Sequence, residues 1–150
     1  MLEDHTHYVE GLRFELGAEV ILEHATEVSE ALCALETKTF DAALVDLSLP
    51  PTHTVQEGIS FLEYVSNSDS LFLPMVVLTS KDLDERMLQQ LLRLGVSIMH
   101  KDDRPSGAEI VSALRLAVRG YRFVSPLLTG TLGELLATDL ATLADLYSER

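Results

Sequence analysis

Cationic side chains are scarce in this sequence. Eleven Lys and Arg face 24 Asp and Glu, giving a formal net charge of −13. That balance argues against non-specific binding to nucleic acid or to an anionic membrane. It favours divalent cations and basic partner surfaces, although solubility alone accounts for much of the charge. Cysteine occurs once, as Cys33, which excludes an intramolecular disulfide and suits a reducing compartment. No apolar run approaches the roughly 18 residues of a membrane span. Met1-Leu2-Glu3-Asp4-His5 does not read as a signal peptide, so a cytoplasmic location is expected. There is no internal repeat and no low-complexity segment. What remains is a chain of 150 residues with 47% apolar content, long enough for one domain with a real core.

Ala42 to Val45 is short and apolar throughout, the pattern of a strand buried on both faces. Asp46 follows at its C-terminal end, where ligands bind in open α/β sheets. An acidic side chain there needs solvent, a cation or a metal, because burying it unpaired is costly. Further strands are expected at Val20-Ile21-Leu22, at Leu73 to Leu78 and at Val96 to Met99. Between them, helical apolar spacing covers 8–16, a helix capped by Thr26 (Val28, Ala31, Leu32, Leu35), Gly58 to Val65, a helix opened by Asp82 or Asp84 and closed by Gly95, and Pro105 to Val118. Strands alternating with helices predict βαβ units and a parallel sheet. Three strand ends then carry Asp46, Thr79 and Lys101 on one edge, with Glu3 and Asp4 preceding the first helix. Clustered carboxylates suit Mg²⁺. Asp46 is a candidate carboxylate nucleophile, and Lys101 and Thr79 can contact phosphoryl oxygens.

These residues carry a resemblance. Leu2-Glu3-Asp4-His5, Val45-Asp46-Leu47-Ser48-Leu49-Pro50, Val77-Leu78-Thr79-Ser80 and His100-Lys101-Asp102 occur in order, and over residues 1–120 the chain resembles the receiver domain of two-component response regulators. The resemblance implies an α/β, flavodoxin-like, doubly wound sheet of five parallel strands in the order 2-1-3-4-5. It implies Asp46 as the phosphoacceptor, with Thr79 and Lys101 on the phosphoryl group. It places Mg²⁺ among Glu3, Asp4, Asp46 and the backbone carbonyl of Ser48. The implied partner is a histidine kinase or a phosphotransfer protein, and the implied role is regulatory, with at most self-phosphorylation and self-dephosphorylation. The connector Gly120-Tyr121-Arg122-Phe123-Val124-Ser125-Pro126 looks like the one that leads, in one large regulator subfamily, into a helix-turn-helix domain, which does not follow here.

Four departures stand out. The first strand is shortened to Met1-Leu2, the loop after Pro50 is longer than usual, Ile98 replaces the usual Tyr or Phe three residues before Lys101, and Ser80-Lys81 follows Thr79. An Ile cannot make the rotamer-linked switch of the aromatic residue. The shortened strand is expected to cost stability, unless the chain starts earlier or a partner chain fills the gap. Beyond the domain, residues 121–150 are read as a connector and an amphipathic helix (Leu128, Leu132, Leu135, Leu136, Leu140, Leu143, Leu146). That stripe suits packing back on its own domain or a homodimer seam equally, and the last strands and helices are a second candidate dimer surface. The competing functional readings are a non-phosphorylated pseudo-receiver acting as a docking module, and a small hydrolase with Asp46 as nucleophile, which lacks a second acid where Ser48 stands. His24, His53 and His100 are read as surface or loop residues, and Cys33 as core. His5 and His7 lack a third ligand for a metal of their own.

Overall fold

The structure, a computed structural model, describes residues 1–128 and 130. Ala43–Val45 (β1), Met75–Thr79 (β2) and Ser97–His100 (β3) form a parallel sheet in the order β1-β2-β3. Val45 aligns with Val77, and Thr79 with His100. Single parallel bridges extend this sheet on both sides: Leu2 joins Val45 to Ala25, and Val124 lies beside Ile98. The helices are Thr6–Leu16 (α1), Val28–Thr37 (α2), Val55–Ser66 (α3), Glu85–Arg93 (α4) and Gly107–Val118 (α5).

Strand pleating divides the core in two. Leu44, Val76, Leu78 and Met99 face Leu12 and Leu16 of α1 and Ile110 and Val111 of α5. Val45, Val77 and Ile98 face the other way, onto Ile59 and Leu62 of α3 and Leu88 and Leu91 of α4. Each fully buried Leu or Ile contributes about 1.5–3 kcal/mol relative to exposure. With helices on both faces, burial requires mostly apolar strands, and the polar Thr79, Ser97 and His100 stand at strand ends.

Two helix starts follow their capping chemistry. Asp84 Oδ1 accepts from the Met87 amide at 2.8 Å, and Ser106 Oγ accepts from that of Glu109 at 3.1 Å. The second cap starts α5 at Gly107, after Pro105. Gly95 ends α4 in the left-handed region (φ 76°).

Three expectations are corrected. Val20-Ile21-Leu22 is not a strand: the first strand meets this side only at Glu23, through the Met1 terminus, and at Ala25, so residues 20–22 have no ladder to join, and Ile21 is 96% exposed. Thr26 does not cap α2, whose N-cap is Glu27; its amide and hydroxyl both donate to Glu30, at 3.1 and 2.9 Å. Cys33 is exposed, because α2 turns Ala31 rather than Cys33 to the core. The Leu132 to Leu146 stripe lies outside the described residues. Among the described residues, no helix is long and apolar enough to cross a membrane.

Candidate functional site: a carboxylate cluster beside Lys101

The parallel sheet brings the C-terminal ends of its strands to one edge, and the polar residues of the sequence motifs meet there. Asp46 leaves β1 with its carboxylate buried; Oδ1 accepts from the Leu47 amide at 2.8 Å, while Oδ2 faces Lys101 Nζ at 3.9 Å. Leu2 carries Glu3 and Asp4 to the same edge, because Leu2 pairs with Leu44 and Asp46 through 2.8 Å backbone bonds. Glu3 is fully buried. Its Oε2 accepts from Lys101 Nζ at 2.7 Å and its Oε1 contacts His5 Nδ1 at 2.9 Å. One ligand atom from each of Glu3, Asp4, His5 and Asp46 falls within a 4.8 Å cluster. Thr79 is buried at the end of β2, and its Oγ1 accepts from the Lys81 amide at 3.1 Å, which leaves the hydroxyl proton to donate elsewhere.

Two of these carboxylates, Glu3 and Asp46, therefore share the Lys101 ammonium, and their protonation reflects it. Burial and the neighbouring Glu3 charge push the Asp46 carboxyl up to about 6, against the pull of Lys101. Burial alone would raise Glu3 as well, but the hydrogen bond and charge of Lys101, with the His5 contacts, hold it below the usual carboxylate range. In the same way Glu3 and Asp4 raise His5. Asp4 Oδ1 is buried and accepts no hydrogen bond, although His5 Nδ1 lies 3.1 Å from it. A buried acceptor left so, in a set of hard oxygens, fits a divalent cation such as Mg²⁺.

The loop after β1 is closed by Ser48 Oγ donating to the His53 carbonyl at 2.6 Å and by the His53 amide donating to Leu49 at 2.9 Å. Gly58 fits beneath it. A Cβ there would lie 2.4 Å from Leu47 Cα and 2.8 Å from the Asp46 carbonyl oxygen, so the approach of α3 to the Asp46 loop demands glycine.

No family model matches this sequence, and no curated protein matches it. Solved structures do. A two-component response regulator of the LuxR family from Aurantimonas sp. SI85-9A1 superposes with a TM-score of 0.74 at 21% identity, over 91% of this chain and 94% of that one. The isolated REC domain of RcsB from Salmonella enterica serovar Typhimurium, in the apo form, gives 0.67 at 19% identity, over 87% and 94%. The signal receiver domain of a signal transduction histidine kinase from Syntrophus aciditrophicus gives 0.65 at 20%, over 79% and 87%. The chain has the receiver-domain fold.

Within that fold, Asp46, Glu3, Asp4 and Lys101 converge as the sequence motifs imply, and Thr79 ends the strand beside them. Other contacts around this cluster lie outside the motifs. Tyr8, within the apolar spacing of 8–16, places its ring 4.1 Å from Lys101 Nζ, a cation–π contact. Burial and the Glu3 charge push its hydroxyl up to about 12. His53 is an exposed loop residue, as read from the sequence, and its Nδ1 lies 3.4 Å from Asp4 Oδ2. His24 Nε2 contacts the Glu3 carbonyl at 2.6 Å. His100 is buried rather than superficial: it ends β3 and its Nδ1 accepts from the Asp102 amide at 3.1 Å.

Proposed function

We propose that the chain is a phosphoacceptor receiver of a two-component system, a regulatory protein that takes a phosphoryl group from a histidine kinase or phosphotransfer protein onto Asp46. The observation that carries this reading is the placement of Asp46. Its Oδ1 is engaged by the Leu47 amide, which leaves Oδ2, facing Lys101, as the attacking oxygen. As Oδ2 bonds to phosphorus, the P–N bond of the donor phosphohistidine breaks and its electron pair returns to the imidazole. Catalysis of such a transfer is mostly positioning and charge neutralisation. Lys101 neutralises a phosphoryl oxygen and Thr79 donates its hydroxyl to another. Glu3, Asp4 and Asp46 would hold Mg²⁺, with the Ser48 carbonyl as a further ligand, and the ion would offset charge on the carboxylates and the phosphoryl group.

The bridges at Leu2 and Ala25 support the five-strand order 2-1-3-4-5. The alternative, a constitutive docking module, draws support from Ile98, which is fully buried where an aromatic switch is expected. A homodimer through the C-terminal stripe remains part of the proposal for output. The direct test is binding of beryllofluoride, a phosphoryl mimic, with Mg²⁺, read by ¹⁹F NMR and thermal shift on the wild type and on Asp46→Ala. Stabilisation of the wild type alone supports the phosphoacceptor; a folded wild type indifferent to both reagents refutes it in favour of the docking module.

A further inference from the structure

Lys101 opens a single 3-10 turn, Lys101–Asp103, which is tied down along its length. His100 Nδ1 accepts from the Asp102 amide at 3.1 Å, and the Arg104 amide closes the turn onto the Lys101 carbonyl at 2.9 Å. Arg104 is left in the left-handed region (φ 48°, ψ 56°), a conformation unfavourable for a residue with a Cβ. Two residues past the lysine, Asp103 Oδ2 accepts from both the Ser125 hydroxyl and the Leu127 amide.

Those two donors belong to a strap laid along the outer edge of β3. The Ile98 amide donates to Phe123 at 2.8 Å, and the Ser125 amide donates back to Ile98 at 2.9 Å. The Phe123 amide donates to Ser97 Oγ at 3.0 Å, and Arg122 Nη1 donates to the Leu92 carbonyl at 2.9 Å. Ser125 is 2% exposed and Leu128 5%. The strap thus covers the strand that carries Ile98, and its other fixed point is the turn that begins with the site lysine.

We infer that the Lys101–Asp103 turn couples the phosphoryl site to this strap: loading Asp46 draws Lys101 off Glu3, and the movement loosens Asp103 from Ser125 and Leu127. The inference rests on the phosphoacceptor reading above. A phosphoryl group brings roughly −1.5 to −2 charges to a carboxylate whose Oδ2 is 3.9 Å from Lys101 Nζ, while Glu3 holds that ammonium at 2.7 Å. The lysine head is only 14% exposed and lies against Tyr8, so side-chain rotation alone has little room. A turn of three residues, stitched at each end and strained at Arg104, transmits a shift of its first residue to its last. Coupling of this kind is a two-state element biased from both ends.

The test is hydrogen–deuterium exchange of the full chain at the amides of Ile98, Ser125 and Leu127. Beryllofluoride with Mg²⁺ is expected to speed exchange there by about fivefold or more, the low end of measured allosteric couplings. By linkage, Ser125→Ala and Asp103→Ala speed the same amides without the mimic and tighten beryllofluoride binding, by at most the factor by which the mimic speeds exchange. Ser125→Ala, which deletes one hydroxyl, keeps the test open should Asp103→Ala fold poorly. Lys101→Met, with no mimic present, is expected to speed these amides as well. Bound mimic, seen by ¹⁹F NMR, with unchanged strap exchange and unchanged affinity in Ser125→Ala overturns the coupling and leaves the phosphoacceptor reading intact. Absence of a bound ¹⁹F signal overturns both.

Discussion

Asp46 should make the metal-free protein less stable as pH rises, and removing its charge should reverse this. Its carboxyl is pushed up to about 6 in the folded chain, against about 3.9 in an unfolded one. Between those values the folded state holds a proton that the unfolded state has lost, so stability falls with pH by about 1.4 kcal/mol per unit. The loss begins near the unfolded value and is complete once pH has passed the folded one. The group is only 3% exposed, so little screening is expected, and the full penalty at pH 8 comes to about 2–3 kcal/mol. Asp46→Asn should therefore stabilise the protein by about that much at pH 8 and by almost nothing at pH 4. Urea unfolding of both proteins at pH 4, 6 and 8 in EDTA measures the difference directly. Adding Mg²⁺ at pH 8 should recover much of the deficit in the wild type and little in the variant. A pH-independent difference, or an Asn variant less stable at pH 8, would refute the claim that burial and Glu3 dominate the site in the absence of metal.

Gly58→Ala should destabilise the fold by at least about 1–3 kcal/mol, as overpacking does, because its Cβ would meet the Leu47 backbone at 2.4 Å; urea unfolding reads the loss, and weaker beryllofluoride binding should accompany it. A double-mutant cycle between Tyr8→Leu and Lys101→Met should return a coupling of about 0.5–2 kcal/mol from the cation–π contact, with Tyr8→Phe keeping most of it. Asp84→Ala should cost about 1 kcal/mol through loss of the α4 cap, without changing beryllofluoride affinity, since among the described residues the Asp84 side chain bonds within its own helix start.

The alternation of apolar runs with helical spacing, and the polar residue after each run, are local properties, so sequence alone determined the α/β class and placed Asp46, Thr79 and Lys101 at strand ends. Parallel strands point the same way, and convergence of these ends follows without knowing any contact. The α4 cap was legible to within Asp82 or Asp84 for the same reason, since partner and cap lie within one turn, whereas the Thr26 cap was not formed.

Contacts between distant stretches were decided only in three dimensions. Lys101 chooses Glu3 over Asp46 across 98 residues, a matter of ångströms that no spacing rule contains. The Tyr8 ring, one position in a helical apolar spacing, serves as the platform for that lysine because α1 starts at Thr6, just after the acidic pair. Val20 to Leu22 has the composition of a strand, yet strand formation needs a neighbour for its backbone, and the single Leu2–Ala25 bridge supplies none there. Ala31, not Cys33, faces the core because the rotation of α2 is fixed by what it packs against. The strap at Phe123 to Leu127 had looked like a plain connector. Its role depends on β3 having an open edge and on Asp103 standing beside it, and tertiary structure alone supplies both.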